Sequence, residues 1–185
     1  FVTGVPKARD GSIAVDGFMR AGADGVYAAG DVATFPYWLT GERARIEHWN
    51  VAMQQGRTAG RNLAGARSSN YTTVPYFWSA FFGGKLNYVG YNGGHETVHI
   101  EGDLAARKFV AYYCRDGAVV AAASMGMPNA NTILAEALRL GRMPALPQLA
   151  DGSANLATIR AALLSAPVGC GRAACCSKPA GPTPA

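Results

Sequence analysis

Several short stretches of this 185-residue chain have the hydrophobic pattern of β-strands. Residues 12–16 alternate between polar and apolar, as expected for a half-buried strand, and residues 25–30 form a short apolar run that ends in glycine. The aromatic-rich stretch 74–82 is followed by a predicted hairpin turn at Gly83-Gly84. Further strands are predicted at 86–90, 97–101, 107–114 and 118–124, with a second hairpin turn at Asp116-Gly117. The pattern after residue 74 therefore predicts an antiparallel sheet.

Three other stretches have helical periodicity, and the strongest spans residues 46–64. Its apolar and small residues recur at spacings of three and four, which predicts a packing face made of Trp49, Ala52, Met53, Gly56, Ala59, Gly60 and Leu63. Each of the two glycines costs up to about 1 kcal/mol of helix propensity relative to alanine. We therefore expect a strand or a ligand to lie close against them. The other two predicted helices span residues 129–140 and 153–165.

The run Val26-Tyr27-Ala28-Ala29-Gly30-Asp31 ends the predicted strand 25–30 with a Gly-Asp turn. Its small side chains allow another group to approach the backbone closely, and Asp31 can accept hydrogen bonds from a hydroxyl-rich ligand. Ligands of open α/β sheets bind beyond the carboxyl ends of strands, where this aspartate lies. The run predicts either a ligand site or an ordinary strand followed by a turn.

The composition is that of a core-forming globular chain, since 49% of the residues are hydrophobic and 16% are charged. The net charge of +5 is not concentrated in a long basic run, so we predict no nucleic-acid binding. No apolar run reaches the roughly 18 residues of a transmembrane helix. The chain starts at Phe1 without an initiator methionine or a signal peptide, which suggests that it begins within a longer protein.

The cysteines and histidines predict neither a disulfide framework nor a metal site. Cys114 lies in a strand pattern, and the other three cysteines, Cys170, Cys175 and Cys176, lie near the C-terminus. We interpret that terminal segment as a mobile tail with incidental thiols, the alternative being a thiol site for soft metals or redox exchange. The cysteine usage favours a reducing compartment, either cytoplasmic or organellar.

Four motifs occur together in an order that resembles the C-terminal part of FAD-dependent pyridine-nucleotide oxidoreductases. They are the segment 26–31, Arg45-Ile46-Glu47-His48-Trp49-Asn50-Val51-Ala52, Val74-Pro75-Tyr76-Phe77-Trp78-Ser79 and the strand-rich run 109–124. The resemblance is to the ferredoxin and rubredoxin reductase type and its apoptosis-inducing-factor-like branch, and it covers roughly residues 1–150.

The resemblance implies a flavin site that is built from separate stretches of the chain. Asp31, after Gly30, would bind the ribityl chain and nearby phosphate groups of FAD. The N-terminal turn of the helix 46–64 would point at the pyrimidine side of the flavin, where its unpaired N–H groups favour negative charge. The residues assigned to the flavin are Gly30, Asp31, Glu47, His48, Trp49, Ala52 and Trp78. For Glu47, His48 and Trp49 the alternative is a solvent-exposed helix start, and for Trp78 it is a core aromatic.

For the fold, the resemblance implies a chain of mixed α/β and α+β class. Residues 1–66 would be the C-terminal segment of a Rossmann-like FAD-binding domain. Residues 71–150 would form the small C-terminal reductase domain, a β-sheet closed by a helix. Residues 151–185 fit the family poorly and are predicted to form a short helix and a flexible tail.

The implied function is electron transfer from NAD(P)H through FAD to a ferredoxin-like iron–sulfur carrier, with no protein side chain acting as catalyst. No glycine-rich dinucleotide fingerprint is present, so we expect the chain alone to bind FAD weakly or not at all. Four arginines, Arg43, Arg45, Arg57 and Arg61, predict either a docking surface for an acidic carrier or a solvated helix face. The alternative function is a non-catalytic module for dimerisation or partner binding, with the aromatics of 76–82 as its contact surface.

Overall fold

The computed structural model describes residues 3–65 and 69–165, which form two β-sheets with one helix between them in the chain. The first sheet has three short strands in the order β1 (Ile13–Ala14), β2 (Ala33–Pro36) and β3 (Arg43–Ala44). β1 and β2 are parallel, whereas β2 and β3 are antiparallel. Helix α1 (Trp49–Leu63) follows this sheet.

The second sheet is antiparallel and confirms the mixed class that the sequence predicts. Its strand order is β4-β5-β8-β7-β6. The strands are β4 (Tyr76–Phe81), β5 (Gly84–Gly90), β6 (Thr97–Asp103), β7 (Lys108–Arg115) and β8 (Ala118–Met125). Strands β4 and β6 are therefore the edges of this sheet, and Gly102 on β6 has a left-handed backbone with φ of +96°.

Helices α2 (Ala130–Arg139), α3 (Leu146–Ala150) and α4 (Leu156–Ser165) follow the second sheet. Leu134, Leu138, Leu149, Leu156 and Ile159 bury their side chains in one core with the apolar face of β5, β7 and β8. Helix α3 has no counterpart among the predicted helices, because five residues are too few for a helical repeat to be visible.

A buried tyrosine and a glutamate join α4 to the second sheet. The Tyr112 hydroxyl on β7 donates to Glu101 Oε2 on β6 at 2.6 Å. The same oxygen accepts from the backbone N–H of Leu156, the first residue of α4, at 2.9 Å. Glu101 thus pairs both a buried hydroxyl and one of the N–H groups that a helix start leaves unpaired.

The two sheets are tied together across the sequence. Arg115 on β7 forms a bidentate ion pair with Glu42, with N–O distances of 2.5 and 2.8 Å. Trp38 Nε1 donates to the carbonyl of Thr73, and Tyr37 packs edge-on against Tyr91 with ring centroids 5.9 Å apart. These contacts hold the first sheet against the second. Helix α1 is joined to β4 by the Asn50 side chain, which donates to the carbonyl of Tyr76 at 3.2 Å.

The predicted strand 25–30 is wrong, since only Tyr27 forms an isolated bridge, to Arg20. Gly25 and Gly30 have φ values of +76° and +81°, so a left-handed glycine at each end confines the extended backbone to the residues between them. Ala28 still donates to the carbonyl of Met19, which holds the segment in the first core. The predicted hairpin turn Gly83-Gly84 also shifts by one residue, to Phe82-Gly83.

The buried face of α1 differs from the predicted one. Helix α1 buries Val51, Gln55 and Asn62, whereas Trp49, Met53 and Leu63 are exposed. Asn62 faces inward because its side chain bonds the carbonyls of Phe18 and Ser69 at 2.9 and 2.8 Å. Apart from the backbone of α1 itself, no atom of the described residues lies within 4 Å of a Cβ placed on Gly56 or Gly60, so no strand of this part of the chain packs against these glycines.

The described helices include none that is long and apolar enough to cross a membrane. Cys114 is a free, buried cysteine on β7. The predicted tail with Cys170, Cys175 and Cys176 lies outside the described residues.

Candidate functional site

The turn at Gly30 and Asp31 lies against the first half of α1. A Cβ on Gly30 would stand 3.2 Å from the Cβ of Ala52, so the glycine allows the turn to approach the helix closely. The Gly30 N–H donates to Gln55 Oε1 at 2.8 Å. The structure therefore brings Gly30 and Ala52 together, two of the residues that the sequence assigns to one site.

Arg45 connects the Asp31 turn to the segment before the helix. Its Nε donates to the Asp31 carbonyl at 2.7 Å, and its other nitrogens pair with Glu47 at 2.8 Å and Asp10 at 3.3 Å. The Asp31 carboxylate is left on the surface, free of an ion pair among the described residues. Arg45 thus joins the Asp31 turn to Glu47 and Asp10 at the surface, which the sequence alone did not indicate.

Helix α1 begins later than predicted, at Trp49 rather than at residue 46, so Glu47 precedes the helix and is not a first-turn acid. His48 is the N-cap residue, and its Nδ1 accepts from the backbone N–H of Asn50 at 3.3 Å. Its ring packs against Phe77 with centroids 4.9 Å apart. The correction follows from the extended backbone of His48, which a residue inside a helix cannot have.

The Asp31 turn lies at the N-terminal turn of α1, because Gly30 approaches Ala52 there, and the Asp31 carboxylate is close enough to act on His48. Partial burial lowers the pKa of His48, and the Asp31 carboxylate opposes this effect by raising it. A negative group at this position is also favoured by the partial positive charge of the helix end.

Trp49 and Trp78 form an exposed aromatic pair beside this helix end. Their rings meet edge to face with centroids 5.7 Å apart, and they remain 55% and 40% exposed. Lys85 Nζ lies 4.9 Å from the centroid of the Trp78 ring. Trp78 is therefore a surface residue of β4, and the core alternative for it is wrong.

The predicted site is an open face and not an enclosed pocket. Gly30, Asp31, Glu47, His48, Trp49, Ala52 and Trp78 all lie on or beside α1, β4 and the Gly30 turn. A cleft of about 630 Å³ lies elsewhere, between the β4–β5 hairpin and the start of α2, and none of these residues lines it. Such a face fits a ligand that is covered from its other side by a second surface.

Sequence reasoning missed Gln55, which is fully buried and bonded to Gly30. Glutamine is usually exposed, so the residue type does not indicate that Gln55 is buried. The one sequence feature that places Gln55 on the inner face of α1 is its spacing of four residues from Val51. Val51 is apolar and also buried.

His48 gives a pH-dependent prediction. Its Nδ1 accepts a hydrogen bond only when the ring is neutral, and its pKa is lowered from 6.5 in the folded chain. Its stabilising contribution is therefore complete above the unfolded value of about 6.5 and is lost as the pH falls through the lower folded value. We expect the urea midpoint of the wild type to fall more between pH 7.5 and pH 5 than that of H48N, where asparagine caps without titrating.

His95 and His99 are present in both proteins, so the difference between wild type and H48N isolates His48. An NMR titration of the His48 ring checks the direction of the shift independently. A pKa above 6.5, or an equal pH dependence in the two proteins, would contradict the capping role.

Comparisons with known proteins agree with the arrangement of the two parts of the chain. The family model of pyridine nucleotide-disulphide oxidoreductases matches residues 2–56, and that of the reductase C-terminal domain matches residues 76–160. Apoptosis-inducing factor 3 from Homo sapiens is 41% identical over 141 residues, which are 76% of this chain and 23% of that protein.

Two further proteins are similar over most of the chain. The ferredoxin–NAD(+) reductase component of the anthranilate 1,2-dioxygenase system from Burkholderia cepacia is 33% identical over 150 residues, 80% of this chain and 37% of its own. The crystal structure of the covalent putidaredoxin reductase–putidaredoxin complex contains a chain with a TM-score of 0.73 and 25% identity, covering 86% of this chain and 38% of that one.

This chain thus spans less than two fifths of the length of each of these relatives. The two matched models follow one another along the sequence, and together they include the Gly30 turn, the start of α1 and the whole second sheet. The chain belongs to the FAD-dependent pyridine-nucleotide oxidoreductases and corresponds to their C-terminal part.

Proposed function

We propose that this chain supplies one side of the flavin site of an NAD(P)H oxidoreductase that reduces a ferredoxin-like iron–sulfur carrier. The observation that carries the proposal is the juxtaposition of the Asp31 turn with the N-terminus of α1, held by Gly30, Ala52 and Arg45. The reductase from Burkholderia cepacia, named for ferredoxin and NAD(+), supports the substrate classes.

The residues of the open face fit FAD in charge and in shape. Asp31 offers a carboxylate that accepts hydrogen bonds from the ribityl hydroxyls, and Gly30 lets the ligand approach the backbone. The N–H groups at the start of α1 stabilise negative charge on the pyrimidine side of the flavin. Trp49 and Trp78 offer flat apolar surfaces that exclude water from a bound ring system.

The chemistry divides between the cofactor and the chain. When bound, FAD accepts a hydride from the nicotinamide and releases electrons singly. The described residues orient and shield the cofactor through Asp31, His48 and the two tryptophans, and none of them is assigned a proton-transfer or nucleophilic role.

A chimera tests the proposal, because the chain alone lacks a glycine-rich fingerprint. We would replace the matching C-terminal part of the Burkholderia cepacia reductase by this chain and purify the product without added flavin. We expect the chimera to retain FAD through gel filtration and to reduce ferredoxin with NADH, as the parent reductase does. A folded chimera that holds no FAD would overturn the proposal.

The carrier is proposed to dock near Arg57 and Arg61, which are exposed one turn apart on α1. Arg43 and Arg45 are less suited to this role, since Arg43 donates to the carbonyls of Val15 and Thr34 and Arg45 is bonded to the Asp31 turn. The docking surface predicted from the sequence is thereby reduced to two arginines.

The double substitution R57E/R61E in the chimera should raise the KM for ferredoxin about fivefold or more at low salt, because two attractions become repulsions. The KM for NADH should not change. R160E, an exposed charge reversal on α4, is the matched control. Equal changes in both KM values would rule out docking at these arginines. So would a KM for ferredoxin that does not change, or whose change is the same at low and high salt.

A non-catalytic interaction module remains the second candidate, and the tip of the β4–β5 hairpin favours it. Phe82 is 91% exposed there, next to the exposed Phe81. The oligomeric state of the 185-residue chain, measured by light scattering, tests the module. A stable homodimer supports the module, whereas a monomer argues against it.

A further inference from the structure

Gln55 is a buried polar residue whose orientation is fixed by the backbone. Its side chain lies on the inner face of α1 at 0% exposure, and its oxygen accepts from the Gly30 N–H at 2.8 Å. A backbone N–H can only donate, so the atom that faces Gly30 must be Oε1 and not Nε2. The amide of Gln55 therefore joins the middle of α1 to the turn that carries Asp31.

The hydrogen bond from Gln55 reaches the turn at Gly30, whose backbone is constrained in two ways. Gly30 has a φ of +81°, and Ala52, less than one helical turn before Gln55, lies where a side chain at position 30 would have to fit. The Gly30 carbonyl accepts from the Ala33 N–H at 2.8 Å, and Arg45 Nε donates to the Asp31 carbonyl at 2.7 Å. Gln55 thus adds the bond that ties this turn directly to the helix.

Packing alone does not account for a glutamine at this position. Its Nε2 is buried and has no hydrogen-bond partner among the described residues. An unpaired buried donor costs free energy, which an apolar side chain of similar volume would avoid. The gain that distinguishes glutamine here is the bond to Gly30.

We propose that Gln55 is a positioning residue of the flavin site, which holds Gly30 against α1 and thereby sets the Asp31 carboxylate beside the N-terminus of that helix. This inference rests on the proposed function for the identity of the ligand. Gln55 itself touches no ligand, because no part of its side chain is accessible.

Amide exchange in the full 185-residue chain tests the bond without any flavin. In Q55M the Gly30 amide should exchange about tenfold faster or more, since it loses its acceptor, while amides within α1 keep their protection. Q54M, on the neighbouring and more accessible residue of α1, is the matched control and should leave the Gly30 amide unchanged. Equal exchange at Gly30 in Q55M and wild type would overturn the inference.

The flavin chimera tests the positioning role itself. In Q55M we expect the dissociation constant for FAD to rise about five- to tenfold and the flavin reduction potential to shift, with the urea midpoint changed little. Q55E keeps an oxygen opposite Gly30 and, with its acid held neutral by burial, should restore the FAD affinity partly. If Q55M does not fold, Q55E carries the test, and an FAD affinity in Q55E no higher than in a chimera without an acceptor at position 55, such as Q55A, would overturn the role. Wild-type FAD affinity and potential in Q55M would overturn the positioning role.

The two proposals fail in different ways. If the wild-type chimera holds no FAD, the proposed function is wrong, and the role of Gln55 in a flavin site falls with it. If the wild-type chimera holds FAD and Q55M behaves like Q54M, only the inference about Gln55 is wrong.

Discussion

D31A in the chimera should weaken FAD binding about 10- to 100-fold, because it removes a charged acceptor of hydrogen bonds worth about 1.5–3 kcal/mol. D31N should weaken it less, since the amide oxygen still accepts while the charge is lost. The carboxylate lies on the surface beside the helix start and makes no ion pair among the described residues, so its removal costs the fold little. The measurement is the dissociation constant from fluorescence titration of the apoprotein with FAD.

D24N is the matched control for this prediction, because Asp24 is exposed and lies in the preceding turn on the same segment. It should leave FAD affinity unchanged. A D31A chimera that binds FAD as tightly as the D24N chimera would remove Asp31 from the site. Unchanged urea midpoints in both variants would show that any loss arises at the site and not from unfolding.

G90A should destabilise the chain by about 2–5 kcal/mol, a large effect for a single methyl group. Gly90 has a φ of +85°, which costs a residue with a Cβ about 1–2 kcal/mol. The added Cβ would also stand 2.4 Å from the Val120 carbonyl oxygen and 2.8 Å from the Ala121 Cα, both backbone atoms of β8. Relieving such overpacking costs about 1–3 kcal/mol more, because β5 must move away from β8.

G56A is the matched glycine-to-alanine control, since Gly56 lies within α1 and has open space around its Cα in the described structure. It should stabilise the chain by up to about 1 kcal/mol through helix propensity. Urea unfolding of the 185-residue chain, followed by circular dichroism, measures both changes. A G90A protein as stable as wild type would show that β5 and β8 do not pack at this distance in solution.

The antiparallel sheet could be predicted from the sequence because its signals are local. Asp116 and Gly117 form a hairpin turn with φ values of +50° and +75°, as the residue pair indicates. The strands on either side, β7 and β8, lie within one residue of their predicted ends. Turn chemistry and alternation therefore fix this part of the fold without any long-range information.

The face of α1 could not be predicted, because periodicity assumes that polar residues point outward. Gln55 and Asn62 point inward because they meet backbone groups of Gly30 and Phe18, which are distant in sequence, and of Ser69, which lies beyond the end of the helix. Trp49 and Met53 are then turned to the surface by the same rotation of the helix. The predicted face of α1 is wrong because tertiary hydrogen bonds decide which side chains are buried, and a hydrophobic pattern does not contain them.

The candidate site could be predicted residue by residue only through the resemblance, and the geometry adds what the motif does not contain. The motif names Asp31 and Glu47, but it does not indicate that Arg45 bonds both segments. It also places Glu47 in the helix, whereas the extended backbone of His48 makes His48 the cap. Such contacts depend on how two loops meet, and a linear motif carries no information about that.

The outer strand β6 has a consequence for the behaviour of the protein in concentrated solution. An unpaired strand edge invites the addition of a strand from another molecule, which is a route to fibrils. Here the strand ends in Glu101, Gly102 and Asp103, and the left-handed backbone of Gly102 interrupts the regular pleat next to two negative charges. We therefore expect this edge to resist amyloid growth. Replacing Asp103 by an uncharged β-branched residue should make the chain form fibrils more readily.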